Sequence, residues 1–312
     1  MKWSKKALLA KIESSYGVDP TPTGAANAQL IFGSDVSLTP IAAEAREREV
    51  VRVGGEYGSF LQFVLGKHVM LEFSVEMAGA GAVDTAPKYG PLLRACGLAE
   101  TITPTTGPVE YDPVSESFDS VTIYMHIDGI LHKMTGARGN AVWQLNINDR
   151  PSIRFRMLGL FVAIADASFP TPDYSGFQQV LPVTDSNTPT LTLHGTAVKV
   201  ASLSIDLGNR VEYRELVNST EIVISDRRAR GQITFEHVVV ATKDWFGAVT
   251  AETLAALAVV HGAGAGKVCK LDAPKVQLLT PRLSGSQDLT MLALDLNLTP
   301  DAGDDEFKFT TQ

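Results

Sequence analysis

Cysteine is nearly absent: Cys96 and Cys269 are the only two in 312 residues. Two cysteines cannot build a disulfide framework, so a reducing compartment and buried structural thiols are expected. Long apolar runs are absent too. The longest extends from Leu254 to Val260, far short of the roughly 20 residues a bilayer-spanning helix needs. Near the N-terminus only Ala7 to Ala10 separate Lys6 from Lys11, too short an apolar stretch for a secretory signal. Basic residues are outnumbered, 27 against 35 acidic, for a net charge of −8. A free nucleic-acid-binding domain is more often basic, so tight binding to phosphates is disfavoured. With 45% apolar and 20% charged residues, the composition is that of a globular chain, and its length corresponds to about two domains.

Catalytic and metal-binding patterns are missing as well. His261-Gly262-Ala263-Gly264-Ala265-Gly266-Lys267 superficially suggests a phosphate loop. That motif needs a glycine where His261 stands and a Ser or Thr where Val268 stands, and it joins a strand to a helix. A flexible glycine turn is the better reading. His126 and His132 flank Gly129 without a third ligand at metal spacing. No Gly-x-Ser-x-Gly elbow occurs, and Cys96 and Cys269 lack an obvious histidine partner. The acidic groups Glu44, Glu47, Glu49 and Asp304, Asp305, Glu306 read as solvated surface. No cofactor, metal or enzymatic activity is expected.

What is present is mostly strand. Val69–Met77, Val121–Ile127, Ala141–Ile147 and, in part, Ile153–Phe161 alternate with period two. Helical signal is scarce. Ser4–Ser15, with Ser4 as cap, reads as a short helix, as do Pro87–Cys96 and Thr250–Val260, with Thr250 as cap. Gly17–Asn27 reads as an extended arm. Asp166–Thr190 holds four prolines and no Lys or Arg, the composition of a linker. Pro300–Gln312 reads as an acidic, mobile tail.

One half of the chain slides onto the other. Ser37-Leu38-Thr39 matches Ser202-Leu203-Ser204 at an offset of 165, and Leu71-Glu72-Phe73 matches Ile233-Thr234-Phe235 at 162. Arg48–Val51 matches Arg214–Val217 between them. After a short helix in each half, Gly129–Lys133 matches Gly266–Lys270 at 137 and Ile153–Leu160 matches Leu289–Leu296 at 136. The offset drops because the first half carries an extra segment, about Glu100 to Ser120. Matches in one order with self-consistent offsets indicate an internal duplication. The expected organisation is a first domain at 1–165, a linker at 166–190, a second domain at 191–299 and a tail at 300–312.

Phe73 and Phe235 fall on the apolar face of matched strands. The opposite face then carries Glu72, Ser74 and Glu76 in one half and Thr234 and Glu236 in the other. Either a solvated outer face or a polar lining recurring around a ring fits that alternation.

Several segments spread over nearly the whole chain carry a family resemblance. They are Tyr16-Gly17-Val18-Asp19-Pro20-Thr21-Pro22-Thr23-Gly24, Ile127–Asn140 with its Asp128-Gly129 turn, Leu203–Asn209 and Ala273–Gln277. The chain resembles the tail tube (major tail) proteins of long-tailed phages and prophages. The resemblance implies a mainly β fold: two tandem tube-like β-sandwich or barrel domains, each with a short flanking helix. It implies rings that stack into a channel for double-stranded DNA, in a virion tail assembled in the bacterial cytoplasm. The implied partners are further copies of the chain, and tape-measure, tail-terminator and baseplate or tail-tip proteins, without a membrane.

Two tube domains per chain then imply three chains per ring. A 150-residue domain is about 38 Å across as a uniform sphere. Three such spheres leave a hole of about 6 Å, whereas six leave about 38 Å, and only the second passes a duplex roughly 20 Å wide. A channel in which DNA slides should not neutralise phosphates, so Glu72, Glu76 and Glu236 are candidates for an acidic or neutral lining. The loop Val53–Phe63 offers Tyr57, Phe60, Leu61 and Phe63 as candidate contacts between rings. The N-terminal arm, the extra segment and the tail are further stacking candidates. The readings kept open beside this one are a two-domain adhesin or receptor-binding module and the tube of a contractile tail.

Overall fold

The computed structural model describes residues 2–48, 57–105 and 107–312. The N-terminal half contains β1 (Lys6–Ile12), α1 (Gly24–Asn27), β2 (Ala28–Gln29), β3 (Ser37–Glu47), β4 (Gln62–Glu76), α2 (Gly90–Ala95), β5 (Leu98–Ile102), β6 (Val109–Pro113), β7 (Val121–Ile127), β8 (Ile130–Asn146), β9 (Ser152–Phe161) and β10 (Ala165–Asp166). The C-terminal half contains β11 (Thr190–Leu193), β12 (Thr196–Ala197), β13 (Val200–Asp206), β14 (Asn209–Leu216), β15 (Ser219–Arg227), β16 (Arg230–Glu236), α3 (Trp245–Thr250), β17 (Leu254–His261), β18 (Cys269–Ser286), β19 (Leu289–Thr299) and β20 (Lys308–Thr311). The fold is mainly β, as the alternating segments require, and every pairing is antiparallel.

The pairings of the two halves correspond. β3 pairs with β4, β4 with β9, β9 with β8, β8 with β7 and β7 with β1. In the second half β13 pairs with β16, β16 with β19, β19 with β18, β18 with β17 and β17 with β11. The register agrees with the sequence matches in the first strands: Leu38 faces Leu71 as Leu203 faces Ile233. In the last strand the match slips by one. Phe73 faces Phe155 while Phe235 faces Leu292, so the structural offset is 137 rather than 136. A one-residue slip exchanges the two faces of a strand, and only the pairing partners resolve it.

The two long strands β8 and β18 each bend at a register shift, between Thr135 and Arg138 and between Leu279 and Arg282. Such bulges bend a strand and raise its twist. Among the described residues the pairings join 18 strands into one sheet, with β14–β15 apart, and its apolar side chains meet in a single core that runs through both halves. Phe73 stacks on Phe155, Phe235 meets Trp245 edge-on at 5.0 Å, and Trp143 lies 4.7 Å from Phe307.

Four expectations are corrected. Residues 4–15 form no helix. Lys6–Ile12 is a strand held between β2 and β7, with Ala7 to Ala10 all buried. A four-residue apolar run buried on both faces carries no period that separates strand from helix. The second-half helix lies earlier than expected, at Trp245–Thr250. Asp244 caps it by accepting from the Gly247 N–H at 2.7 Å, and Thr250 ends it. Leu254–His261 is a strand whose alternation is hidden because the apolar Ala256, Ala258 and Val260 fill its other face. The C-terminal segment is not a mobile tail: Phe307 and Phe309 are fully buried, and β20 pairs with β18 on one side and β6 on the other. The acidic count hid the alternating Phe307-Lys308-Phe309. Finally, Gly17–Asn27 is tied down, with Asp19 accepting from Lys133 Nζ at 2.7 Å and from Tyr124, and it contains the single helical turn α1.

Residues 167–189 contain no helix or strand, yet they are bound to both halves. Asn148 N–H donates to the Val183 carbonyl and Gly262 N–H to that of Asn187. The extra segment of the first half folds as the β5–β6 hairpin, with Val109 and Tyr111 fully buried. The glycine run before Lys267 is the β17–β18 turn. Gly266, at φ 76°, accepts a bond from the Gly81 N–H at 2.8 Å, and a Cβ on Gly266 would meet Gly81 backbone carbon at 2.1 Å. The need for glycine here is a close approach of two backbones.

Candidate channel face and assembly surfaces

Eight strands form one continuous antiparallel run in the order β3-β4-β9-β8-β13-β16-β19-β18. The link between halves is β8 against β13, where Val142–Asn146 face Asp206–Ser202. Because side chains alternate, the apolar set Leu71, Phe73, Phe155, Trp143, Leu203, Ile233 and Leu294 points to the core. The intervening residues make one broad polar face.

The charged residues on that face are ion-paired, with Val142, Met291 and Ala293 set among them. Glu72 accepts from Arg154 Nη2 at 2.8 Å and lies 3.5 Å from Arg156 Nε. Glu76 is 3.4 Å from Arg150, and Glu236 binds Lys199 Nζ at 3.0 and 3.1 Å. The three glutamates picked from the sequence thus share one face, each beside a cation. The alternation Arg154-Phe155-Arg156 in β9 has the period of Glu72-Phe73-Ser74, but only the β4–β9 pairing assigns these arginines to Glu72. Farther along, Asp206 accepts from Asn140 Nδ2 at 2.6 Å and has Arg230 at 3.7 Å. Arg282 grips Asp295 through both guanidinium nitrogens, at 3.0 and 2.5 Å. This hydrogen bond outweighs the opposing effect of burial and holds the Asp295 carboxyl below the usual carboxylate range.

Two strand edges in this run are open. Among the described residues β3 has β4 as its one strand neighbour, and β18 beyond Gln277 has only β19. Leu279 to Ser286 are exposed on both faces, as is most of β3. Two hairpins extend from the run. The β14–β15 hairpin packs against β4, β8 and β9: Tyr213 stacks on His68 at 5.0 Å, and Arg138 donates to the Ile222 carbonyl at 2.9 Å. The outer part of β3–β4 carries exposed Ile41, Leu61, Phe63, Val64 and Leu65. Of the four candidate contact residues, Tyr57, Leu61 and Phe63 are exposed and Phe60 is half-buried. The remainder of that loop, through residue 56, lies outside the described residues, as does most of the match at Arg48–Val51.

No group of three or more His, Cys, Asp or Glu among the described residues is arranged to hold a metal. Cys96 and Cys269 are buried, and burial pushes the Cys269 thiol up to about 12. Burial likewise lowers the His126 and His132 imidazoles, whose Nδ1 atoms are buried without a partner.

Compared with known families, the chain matches the family model described as phage tail tube protein over residues 3–305. The chain belongs to the phage tail tube protein family. No curated protein matches it. Tail tube proteins are structural components of a virion tail. Among the described residues no helix is long and apolar enough to cross a membrane.

Proposed function

We propose that this tail tube protein polymerises as stacked rings of three chains, each chain supplying two equivalent tube domains, into the channel that conducts genomic DNA. The observation that carries this reading is the repeated strand topology joined by the β8–β13 seam. It supports reading one chain as two consecutive sectors of a ring, with one face running across both. Glu72, Glu76 and Glu236, with their paired cations, line the channel in this reading. A three-chain ring carries −24, three times the chain's −8. Carboxylates that already occupy each guanidinium or ammonium leave little for phosphates to gain by counterion release, so a duplex can slide. The exposed Tyr57, Leu61 and Phe63, with Phe60, contact the next ring, where burial removes an apolar patch from water. Tape-measure, terminator and tail-tip proteins bound the tube, and assembly takes place in the host cytoplasm.

The test is negative-stain electron microscopy of purified protein with light-scattering mass on the same sample. Rings or tubes with a central channel, of mass three times 33.5 kDa per ring, are expected. Six chains per ring refute the stoichiometry. A chain that fails to polymerise even on an isolated tail-tip complex refutes the tube and favours an adhesin.

A further inference from the structure

β20 stands between strands from the two halves. On one side its residues 308–311 pair with residues 269–272 of β18, and on the other its residues 309–311 pair with residues 109–111 of β6. Among the described residues β18 and β6 do not pair with each other. Each has a partner of its own, since β17 holds β18 and β5 holds β6. Both walls are therefore built without β20, and the slot between them is one strand wide, roughly 9–10 Å from wall to wall.

The floor of the slot is also built without it. Tyr89 Oη donates to the Ala78 carbonyl at 2.7 Å and Tyr111 Oη to Glu100 at 2.7 Å, while Trp143 belongs to β8. Phe309 packs on all three of these rings and Phe307 on Trp143. Lys308 points the other way. Glu110 and Asp112 of β6 lie 3.2 and 3.3 Å from its Nζ, and Asp272 is its opposite residue on β18. An aromatic floor and an acidic rim thus match the alternation Phe307-Lys308-Phe309. The connection from β19 is exposed over residues 300–304. Arg227 pins its end, binding Glu306 through Nε, Asp304 through Nη2 and the Val114 carbonyl through Nη1.

We infer that the slot between β18 and β6 is a strand-binding site for an extended aromatic–cation–aromatic segment. Its occupant is the segment around β20 of this same chain, delivered in cis. The mode is strand addition, in which ladder bonds give affinity and alternating side-chain pockets give selectivity. An inserted strand gains a ladder on each side, and a preformed slot loses little to reordering. Lys308 and Glu110 are 198 residues apart in the chain, so loop closure favours docking after the walls have formed. Docking ties the halves together at a second place, apart from the β8–β13 seam. The inference does not depend on the ring.

A protease site inserted between Ala302 and Gly303, where a Cβ on Gly303 would meet open space, lets the whole chain fold before it is cut. The probe is a fluorescein-labelled peptide of residues 303–312, which keeps the Arg227 partners. It is added in excess and read by anisotropy, with circular dichroism on the same sample. Cut protein should keep its fold and take up the peptide saturably as the native segment exchanges out, and uncut protein should take up none. As unlabelled competitors, the Phe309→Ala peptide should be at least about 100-fold weaker and the Lys308→Glu peptide about tenfold weaker. The Lys308→Arg peptide should compete like the parent. A fold lost when the segment leaves overturns the preformed slot. A folded cut chain that never exchanges, even near its unfolding midpoint, overturns the site, as does equal uptake by cut and uncut protein. Equal competition by the Lys308→Glu and parent peptides overturns the selectivity for a cation.

Discussion

Removing the Glu13 carboxylate tests how the N-terminal arm is anchored. Glu13 follows β1 and is buried. Its Oε1 accepts from Thr122 Oγ1 at 2.6 Å and Gly136 N–H at 2.7 Å. Its Oε2 accepts from Ser120 Oγ at 2.6 Å and Gly17 N–H at 2.7 Å. One side chain thus joins the arm, the start of β7 and the bend of β8, where Gly136 sits at φ 57°. In Glu13→Ala the two hydroxyls can rotate toward other acceptors, but the two backbone N–H groups cannot. An orphaned buried donor costs about 1–3 kcal/mol. Gly136 is fully enclosed and Gly17 reaches water more readily, so the loss should be about 2–4 kcal/mol. For a chain of this size about 2 °C of Tm is lost per kcal/mol, which puts the fall at roughly 4–8 °C. Glu13→Gln keeps one acceptor oxygen and should fall about halfway. Scanning calorimetry of unassembled protein at low concentration measures all three. An alanine variant within 1 °C of the parent, or a glutamine variant worse than alanine, would refute the reasoning.

Phe309→Ala should cost about 3–5 kcal/mol in a urea titration, because Phe309 is fully buried between Tyr89, Tyr111 and Trp143; a loss under 1 kcal/mol would return the C-terminus to the status of a tail. Burial alone would raise the Asp19 carboxyl, but hydrogen bonds from Lys133 and Tyr124 outweigh it and hold it low. The stability it contributes is therefore full above the ordinary carboxylate pKa of about 4 and is lost as pH falls below it, so Asp19→Asn should flatten the acid limb of a Tm-versus-pH curve and lower Tm at pH 7. Glu72→Gln, Glu76→Gln and Glu236→Gln together should change stability by no more than about 1 kcal/mol per exposed pair, yet make tubes retain duplex DNA at 50 mM salt and release it at 200 mM; retention unchanged from the parent sinks the lining assignment. Leu61→Asp should leave rings and abolish tubes in micrographs, and normal tubes would remove that hairpin from the ring-to-ring contact.

The strands are legible where polar and apolar residues alternate. Val121–Ile127 is bounded correctly because Thr122, Tyr124 and His126 alternate with Val121, Ile123, Met125 and Ile127, although nearly all of that strand is buried. Segments apolar on both faces are not legible. Ala7–Ala10 and the alanine-rich β17 show no period in sequence and read as helix, the state alanine favours. The polar face was half legible: Glu72, Glu76 and Glu236 were found by parity, but Arg154 and Arg156 acquire meaning only when β9 lies beside β4. The open edges left one mark, since Pro40 in β3 and Pro281 in β18 cannot donate to a ladder and proline within a strand belongs to edges or bulges.

The seam between the halves bears on the proposed assembly. The strength of a strand pair depends on the side chains flanking it. Between β8 and β13 it brings together Trp143, Leu145, Leu203 and Ile205, all buried. Fully burying apolar side chains of this size stabilises by about 1.5–3 kcal/mol each. Within the ring proposed above, the two halves of a chain therefore act as one unit rather than as two exchangeable sectors.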